Sequence, residues 1–176
     1  MFLILILISF IHSTECKAKM NDDFFAGLSL QGESIKFTDP LSKTYSGFSY
    51  GMIVGKDWSW SNSFGLKSYL GIISGSLSNN SASMDNLSII SPVLGVGFNM
   101  HPFSLLGSVI YHSYSTGTNR SQNIGLQGEA LYTQQINSML SLQPGAFFGE
   151  TTYNGSVGTN LGIIFRVLLN FRAAVN

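Results

Sequence analysis

The sequence predicts an all-β fold, namely an eight-stranded antiparallel up-and-down transmembrane β-barrel that follows a cleaved signal peptide. Three observations support this prediction. Apolar side chains alternate with small or polar ones along eight segments, which is the period of a β-strand. Charged residues make up only 10% of the chain, against roughly 25% in ordinary soluble domains. After residue 18, no stretch has the roughly 20 apolar residues of a spanning helix, and only helices and closed barrels satisfy all backbone polar groups in lipid.

The last segment shows the alternation most clearly. Large apolar residues occupy every second position, namely Leu161, Ile163, Phe165, Val167, Leu169 and Phe171. The positions between them hold Gly162, Ile164, Arg166, Leu168 and Asn170. A soluble sheet turns a charged face toward water, whereas a barrel strand in a membrane turns its apolar face toward lipid and its polar face inward. We therefore assign the apolar face of this segment to lipid.

The same segment resembles the carboxy-terminal assembly signal of bacterial outer-membrane barrels. That signal consists of a polar residue, a glycine, an aromatic residue and a hydrophobic residue at fixed spacing. Here the matching positions are Asn160, Gly162, Phe165 and Val167, continuing to Phe171. The chain departs from the family pattern because residues 172–176 follow the final aromatic residue. The resemblance implies recognition by the outer-membrane assembly machinery.

The first 18 residues have the layout of a secretory signal peptide. The apolar run from Phe2 to Ile11 is too short to span a membrane, and a polar stretch then leads to Ala18, a small residue suited to cleavage. A lipoprotein is the alternative, and it would use Cys16, the only cysteine of the chain. Cleavage after Ala18 divides the chain into a signal peptide, 1–18, and a barrel, 19–176, without a thiol.

Turn-rich connections separate the eight segments, and an even number suits a bacterial barrel. We predict the first strand over about Asp23 to Lys36, the third over about Phe64 to Leu77 and the fifth over about Phe103 to Ser115. If both termini are periplasmic, the cell-surface loops are 38–46, 78–86, 116–123 and 151–160. The periplasmic turns are then 56–63, 99–102 and 134–138, so the surface connections are expected to be the longer set.

Aromatic residues are predicted to form a girdle at each membrane interface, as barrels of this class do. The periplasmic girdle would consist of Trp58, Trp60, Phe64, Phe98, Phe103 and Tyr132. The girdle at the cell surface would consist of Tyr45, Tyr50, Tyr111, Tyr114 and Tyr153.

Charged and amide side chains are rare inside the strands, and four of them fall on inward faces. These are Lys67, Glu129, Gln143 and Arg166, each a few residues from the periplasmic end of its strand. Eight strands leave an interior just wide enough for side chains to fill, and buried charges need partners. We interpret the four as a polar plug, with Glu129 paired to Arg166. The alternative is a proton or ion path.

His112 is the candidate catalytic residue, since it faces inward near the outer rim with Ser113 and Ser115 beside it. Small outer-membrane lipid A deacylases also use a His, a Ser and a Glu, in a His-any-Ser-Asn motif near the chain end. Here the spacing and position differ, and Glu129 is predicted about four residues deeper in the barrel. The structural alternative is a rim histidine that hydrogen-bonds a loop. The three scattered histidines have no metal-site spacing, so no metal or other cofactor is expected.

As a whole, residues 20–171 resemble the small eight-stranded outer-membrane proteins of Gram-negative bacteria, among them the transmembrane part of outer membrane protein A and outer membrane protein X. The resemblance implies a monomer integral to the outer membrane, in contact with lipid and lipopolysaccharide. It also implies roles in membrane integrity, adhesion or contact with host surface molecules. Zero net charge without a basic run excludes nucleic acid as a partner.

Two functions are carried forward from the sequence. The first is a non-enzymatic integral barrel whose surface loops make the contacts. The second is a lipid A-modifying hydrolase that uses His112. A soluble β-sandwich remains the alternative fold.

Overall fold

The computed structural model describes residues 21–61, 64–79, 86–116 and 119–172. The predicted signal peptide, 1–18, lies outside the described residues. The strands are β1 (Asn21–Phe37), β2 (Thr44–Ser59), β3 (Gly65–Asn79), β4 (Asn86–Met100), β5 (Phe103–Thr116), β6 (Asn119–Tyr132), β7 (Gln134–Gln135), β8 (Leu140–Tyr153) and β9 (Ser156–Arg172). Within the described residues, no helix is long and apolar enough to cross a membrane.

Every strand pairs antiparallel with its neighbours, and the sheet closes on itself. The order runs from β6 back to β1, then to β9 and β8, and β8 pairs with β6. Closure leaves no free sheet edge along the paired region. The predicted all-β, eight-stranded antiparallel barrel is therefore confirmed. We call the end where β1 begins and β9 finishes the lower rim, and the opposite end the upper rim.

The two-residue strand β7 is an extension of β6 after a short break. Leu131 lies opposite Gly145 of β8, and Gln134 lies opposite Leu142 in the same register. The break falls opposite Pro144, which has no backbone N–H to donate to the ladder. The predicted turn at 134–138 therefore begins later, and the chain reverses over residues 136–139.

The strands are longer than predicted, and the surface loops are shorter. β8 and β9 continue until only Asn154 and Gly155 separate them, both at positive φ (49° and 77°). Most of the predicted loops 151–160 and 116–123 is therefore strand. Ladder pairing uses backbone groups, so polar Ser, Thr and Asn side chains do not end a strand that has neighbours on both sides. Among the fully described connections, 38–43 and 154–155 lie at the upper rim, and 101–102 and 136–139 lie at the lower rim. The expectation of a longer surface set stays a prediction, because two of the four surface connections lie outside the described residues.

The two faces of the barrel differ as the alternation predicted. Outward side chains such as Leu28, Phe48 and Ile163 are 60%, 69% and 69% exposed. Inward side chains such as Ile53, Ile164 and Leu168 are buried in a continuous core. An apolar exterior around a filled interior is the arrangement that a bilayer stabilises, since lipid replaces water on the outer face.

The aromatic girdle at the lower rim is present. The ring centroids of Trp60 and Phe64 are 5.3 Å apart, those of Phe64 and Phe98 are 5.8 Å apart, and those of Phe103 and Tyr132 are 5.5 Å apart. Phe64, Phe98 and Phe103 are all exposed on the outer face. These rings therefore lie where a membrane interface would meet the barrel.

The predicted upper girdle is wrong for three of its five tyrosines. Tyr45, Tyr114 and Tyr153 are buried inside the barrel, whereas Tyr50 and Tyr111 are exposed. The physical reason is strand parity. His112 and Tyr114 are two residues apart on β5, so they share the inward face and exclude Tyr114 from the lipid face.

Candidate functional site

The lower half of the interior contains a buried ion pair between β9 and β6. Arg166 Nη2 lies 2.8 Å from Glu129 Oε2, and the two side chains are only 2% and 1% exposed. The hydroxyl of Tyr69 donates to Glu129 Oε1. The Arg166 guanidinium lies 4.5 Å from the centre of the Tyr69 ring. Each charge thus has a charged partner and a second polar or aromatic contact, which offsets part of its desolvation cost.

A second ion pair lies beside the first. Lys67 Nζ is 3.2 Å from Asp57 Oδ2, and the two residues are directly opposite each other on β3 and β2. The ammonium also lies 4.8 Å from the centre of the Phe25 ring. Asp57 is not among the predicted interior residues, because the sequence predicts a turn over residues 56–63, whereas β2 extends to Ser59. Ser49 faces inward, and every second residue of a strand lies on the same face. The same alternation, followed along β2, predicts that Asp57 also faces inward.

Gln143 completes this level of the interior. It lies directly opposite Arg166 on the neighbouring strand, and its Nε2 donates to Thr133 Oγ1 at 2.9 Å. All four residues singled out in the sequence are therefore buried in one region. We call this region the charged layer and define it as Asp57, Lys67, Tyr69, Glu129, Gln143 and Arg166.

A buried carboxylate above the charged layer was also missed. Glu33 is 8% exposed, and the Nδ2 of Asn160 donates to its Oε2 at 2.9 Å. Gln31 and Glu33 are two residues apart on β1 and therefore share a face. The inward position of Gln31 thus predicts that Glu33 faces inward as well. Asn160 thus faces the interior, whereas Phe165 and Phe171 of the same assembly-signal pattern are exposed on the outer face. Recognition of that pattern by an assembly machinery stays a prediction.

His112 has a different environment from the one predicted. Its Nδ1 lies 2.9 Å from Ser91 Oγ on β4, and its ring stacks on Tyr114 at 5.0 Å. The partner is thus a strand residue and neither a loop nor Ser113. The backbone ladder between β4 and β5 is interrupted between the pairs Ile90–Ser113 and Val93–Ile110. Pro92 lies in this gap and cannot donate to the ladder, so the Ser91–His112 hydrogen bond joins the strands there.

Among the residues that the structure describes, no carboxylate contacts His112 to complete a catalytic triad. Glu129 lies opposite Leu106, further down β5 than predicted, and its oxygens contact Arg166 and Tyr69. Ser91 and His112 are only 1% and 6% exposed. The pair is therefore shielded from both solvent and lipid.

Four aromatic residues close the interior at the upper end, and we call them the aromatic cap. Phe37 contacts the rings of Tyr45, Tyr114 and Tyr153, with centroid distances of 6.1, 6.4 and 5.8 Å. Tyr114 donates to Thr151 Oγ1 at 3.0 Å, and the Tyr153 hydroxyl lies 2.7 Å from Thr116 Oγ1. All four residues are at most 2% exposed. The cap and the charged layer therefore fill the interior at both ends.

Possible metal ligands lie apart from one another in the part of the chain that the structure describes. There, no group of three or more His, Cys, Asp or Glu side chains is placed to hold a metal ion. The carboxylates of Asp57 and Glu129 instead contact the cations of Lys67 and Arg166. The interior chemistry in this region is thus that of paired charges and packed rings.

Comparison with known proteins finds similar structures but no similar sequence family. No protein-family profile and no curated protein sequence matches the chain. The crystal structure of Neisserial surface protein A is 14% identical, with a TM-score of 0.49, and the match covers 82% of this chain and 96% of that one. Ail, the attachment invasion locus protein of Yersinia pestis, is 8% identical, with a TM-score of 0.47 and coverages of 86% and 99%. The outer membrane protein OprG from Pseudomonas aeruginosa is 11% identical, with a TM-score of 0.48 and coverages of 87% and 97%.

Proposed function

We propose that this protein is a non-enzymatic integral outer-membrane β-barrel that acts through the contacts of its upper rim. The main observation behind the proposal is that the barrel is closed and its apolar exterior is exposed. Leu28, Phe48 and Ile163 on this exterior are all at least 60% exposed. In water such a surface would aggregate, whereas in lipid it is solvated. The girdle at the lower rim supports the same placement.

The upper rim offers groups for polar contacts outside the membrane. Lys36 and Arg120 are exposed there, on β1 and β6. Cationic side chains of this kind bind phosphate through charge-assisted hydrogen bonds. Contact with lipopolysaccharide phosphates, membrane integrity and adhesion to host surface molecules are functions that this end of a monomeric barrel could serve.

A plugged interior favours a structural or adhesive role over transport. Arg166 and Glu129 pair across the lower half, and Phe37 lies among three tyrosines in the upper half. An eight-stranded barrel has room for its own side chains and little else. We therefore assign the charged layer to a plug rather than to an ion path.

The hydrolase alternative has one favourable observation, the 2.9 Å contact between Ser91 Oγ and His112 Nδ1. Burial of both residues beneath Tyr114 argues against it, because a nucleophile must reach its substrate. Mass analysis of lipid A from cells with the wild-type protein and with Ser91→Ala tests the point. We expect identical acyl counts, and a changed acyl count in the wild type alone would establish the enzyme.

Membrane topology tests the proposed function directly. In a Cys16→Ser background, we expect Arg120→Cys at the upper rim to react with a membrane-impermeant maleimide on intact cells. Ser138→Cys lies in the exposed connection at the lower rim and should react only after the outer membrane is permeabilised. If Ser138→Cys reacted on intact cells, the orientation of the barrel would be the opposite of the one proposed. If both cysteine variants appeared in the soluble fraction, integration into the membrane would be contradicted.

A further inference from the structure

The outer face of the barrel carries two shallow apolar grooves of nearly equal volume. The lower groove, of about 510 Å³, crosses β9 and β1 to β4 and has Ala26 and Ser68 as small lining residues. Phe24, Val54 and Leu70 form its walls. The second groove, of about 540 Å³, lies over β5, β6, β8 and β9 and includes Ala130 and Phe148.

Strand register explains the shape of the lower groove. Phe24 lies opposite Lys56, and Lys56 lies opposite Ser68 on the next strand, so the three form one row across the barrel. In the next row toward the upper rim, Ala26 lies opposite Val54, and Val54 opposite Leu70. Small side chains between large ones leave a shallow trough in the apolar outer face.

The lower groove differs from the second groove because a lysine lies at its end. Lys56 Nζ lies 5.1 Å from the centre of the Phe24 ring and 5.2 Å from the centre of the Trp58 ring. Lys56 lies two residues from Trp58 along β2, which places it just inside the aromatic girdle. A lysine at this depth extends its ammonium to the headgroup region while its methylenes stay in the apolar layer.

We propose that the lower groove binds one phospholipid molecule, with the phosphate at Lys56 and an acyl chain over Ala26 and Ser68. The cationic group and the apolar trough match the two parts of such a lipid, an anionic phosphate and a hydrocarbon chain. The second groove has a similar volume and no cationic lining residue, so it lacks the part that would recognise a headgroup. This inference rests on the proposed function, because it requires the barrel to lie in a bilayer.

Native mass spectrometry of the refolded barrel, titrated with dioleoyl phosphatidylglycerol in detergent micelles, tests the proposal. We expect one lipid to be retained at low lipid concentration. Lys56→Gln should weaken this retention about fivefold, which corresponds to ~1 kcal/mol for one lysine near a membrane surface. Lys56→Arg keeps the charge and should retain the lipid as the wild type does.

Groove-filling variants supply the matched comparison. Ala26→Leu fills the floor of the lower groove and should reduce retention several-fold, whereas Ala130→Leu fills the second groove and should leave it unchanged. Inorganic phosphate at millimolar concentration should not displace the lipid. Equal retention by all variants, or displacement by inorganic phosphate, would overturn the proposal. Heat-modifiable gel migration distinguishes a failure of the lipid-binding proposal from a failure of the proposed function. A protein that is not a folded membrane barrel shows no migration shift on heating.

Discussion

The charged layer and the aromatic cap close the same barrel by different physical means. In the charged layer, Arg166 and Glu129 form a buried ion pair, so each charge depends on the opposite charge of the other. In the cap, Phe37 packs against several rings, and the polar contacts are hydroxyl hydrogen bonds such as that of Tyr114. Loss of one partner from the charged layer leaves an uncompensated charge, whereas loss of a hydroxyl from the cap leaves a neutral group. The same barrel therefore has one end that is sensitive to single substitutions and one that is more tolerant.

The largest effect is expected for a single break in the ion pair. Arg166→Met should lower the free energy of unfolding by about 3–5 kcal/mol, because Glu129 stays buried without its cation. The double change Arg166→Met with Glu129→Leu should recover much of this loss, since apolar replacement of a whole buried pair is often close to neutral. Urea titration in lipid vesicles, followed by heat-modifiable migration, measures both. Additive losses in the double variant would show that the two side chains do not interact.

The second prediction compares two charged substitutions on the outer face of the barrel, at different depths in the membrane. Leu28→Arg places a charge on the lipid face near the middle of β1 and should cost about 2–4 kcal/mol of unfolding free energy. Leu161→Arg lies on the same face near the upper rim and should cost about 1 kcal/mol or less, because the penalty falls toward the interface. The same urea titration compares them. Equal costs would mean that the outer face does not follow the depth profile of a bilayer.

A further comparison makes the same Tyr→Phe substitution in the charged layer and in the aromatic cap. Tyr69→Phe removes a hydrogen bond to the buried Glu129 carboxylate and should cost about 1.5–3 kcal/mol. Tyr114→Phe removes a hydrogen bond to the Thr151 hydroxyl and should cost about 0.5–1.5 kcal/mol. A larger loss for Tyr114→Phe than for Tyr69→Phe would reverse the comparison between the charged layer and the cap.

The sequence predicted the barrel because strand parity is a local property. Alternation in β9 places Arg166 inside and Phe165 outside, and the exposed fractions of 1% and 41% agree. The inward positions of Lys67 and Glu129 followed from the same rule. Glu129 was predicted to pair with Arg166, and the two side chains are 2.8 Å apart. The partner of Lys67 was not predicted, because Asp57 fell in the predicted turn 56–63.

The errors arose where composition was used in place of parity. Asp57 was assigned to a turn because polar residues and tryptophans surround it, yet it is an inward strand residue paired with Lys67. Tyr45 and Tyr153 were assigned to a girdle because tyrosine is common at membrane interfaces, yet both lie in the cap. A tyrosine can satisfy its hydroxyl at an interface or inside a barrel, so only its position along the strand decides between the two.

The central claim is that a lipid-facing exterior surrounds a packed interior. It is tested most directly by photo-crosslinking the wild-type barrel to lipids that carry a diazirine in the acyl chain. Consecutive residues of β1 should differ, with crosslinks at the exposed Leu28 and Leu30 and none at the buried Ser29 and Gln31. Mass spectrometry of the proteolysed protein locates the crosslinks without any substitution. An alternating pattern is the result that a lipid-facing exterior around a packed interior requires. Crosslinks at Ser29 and Gln31 equal to those at Leu28 and Leu30 would contradict it.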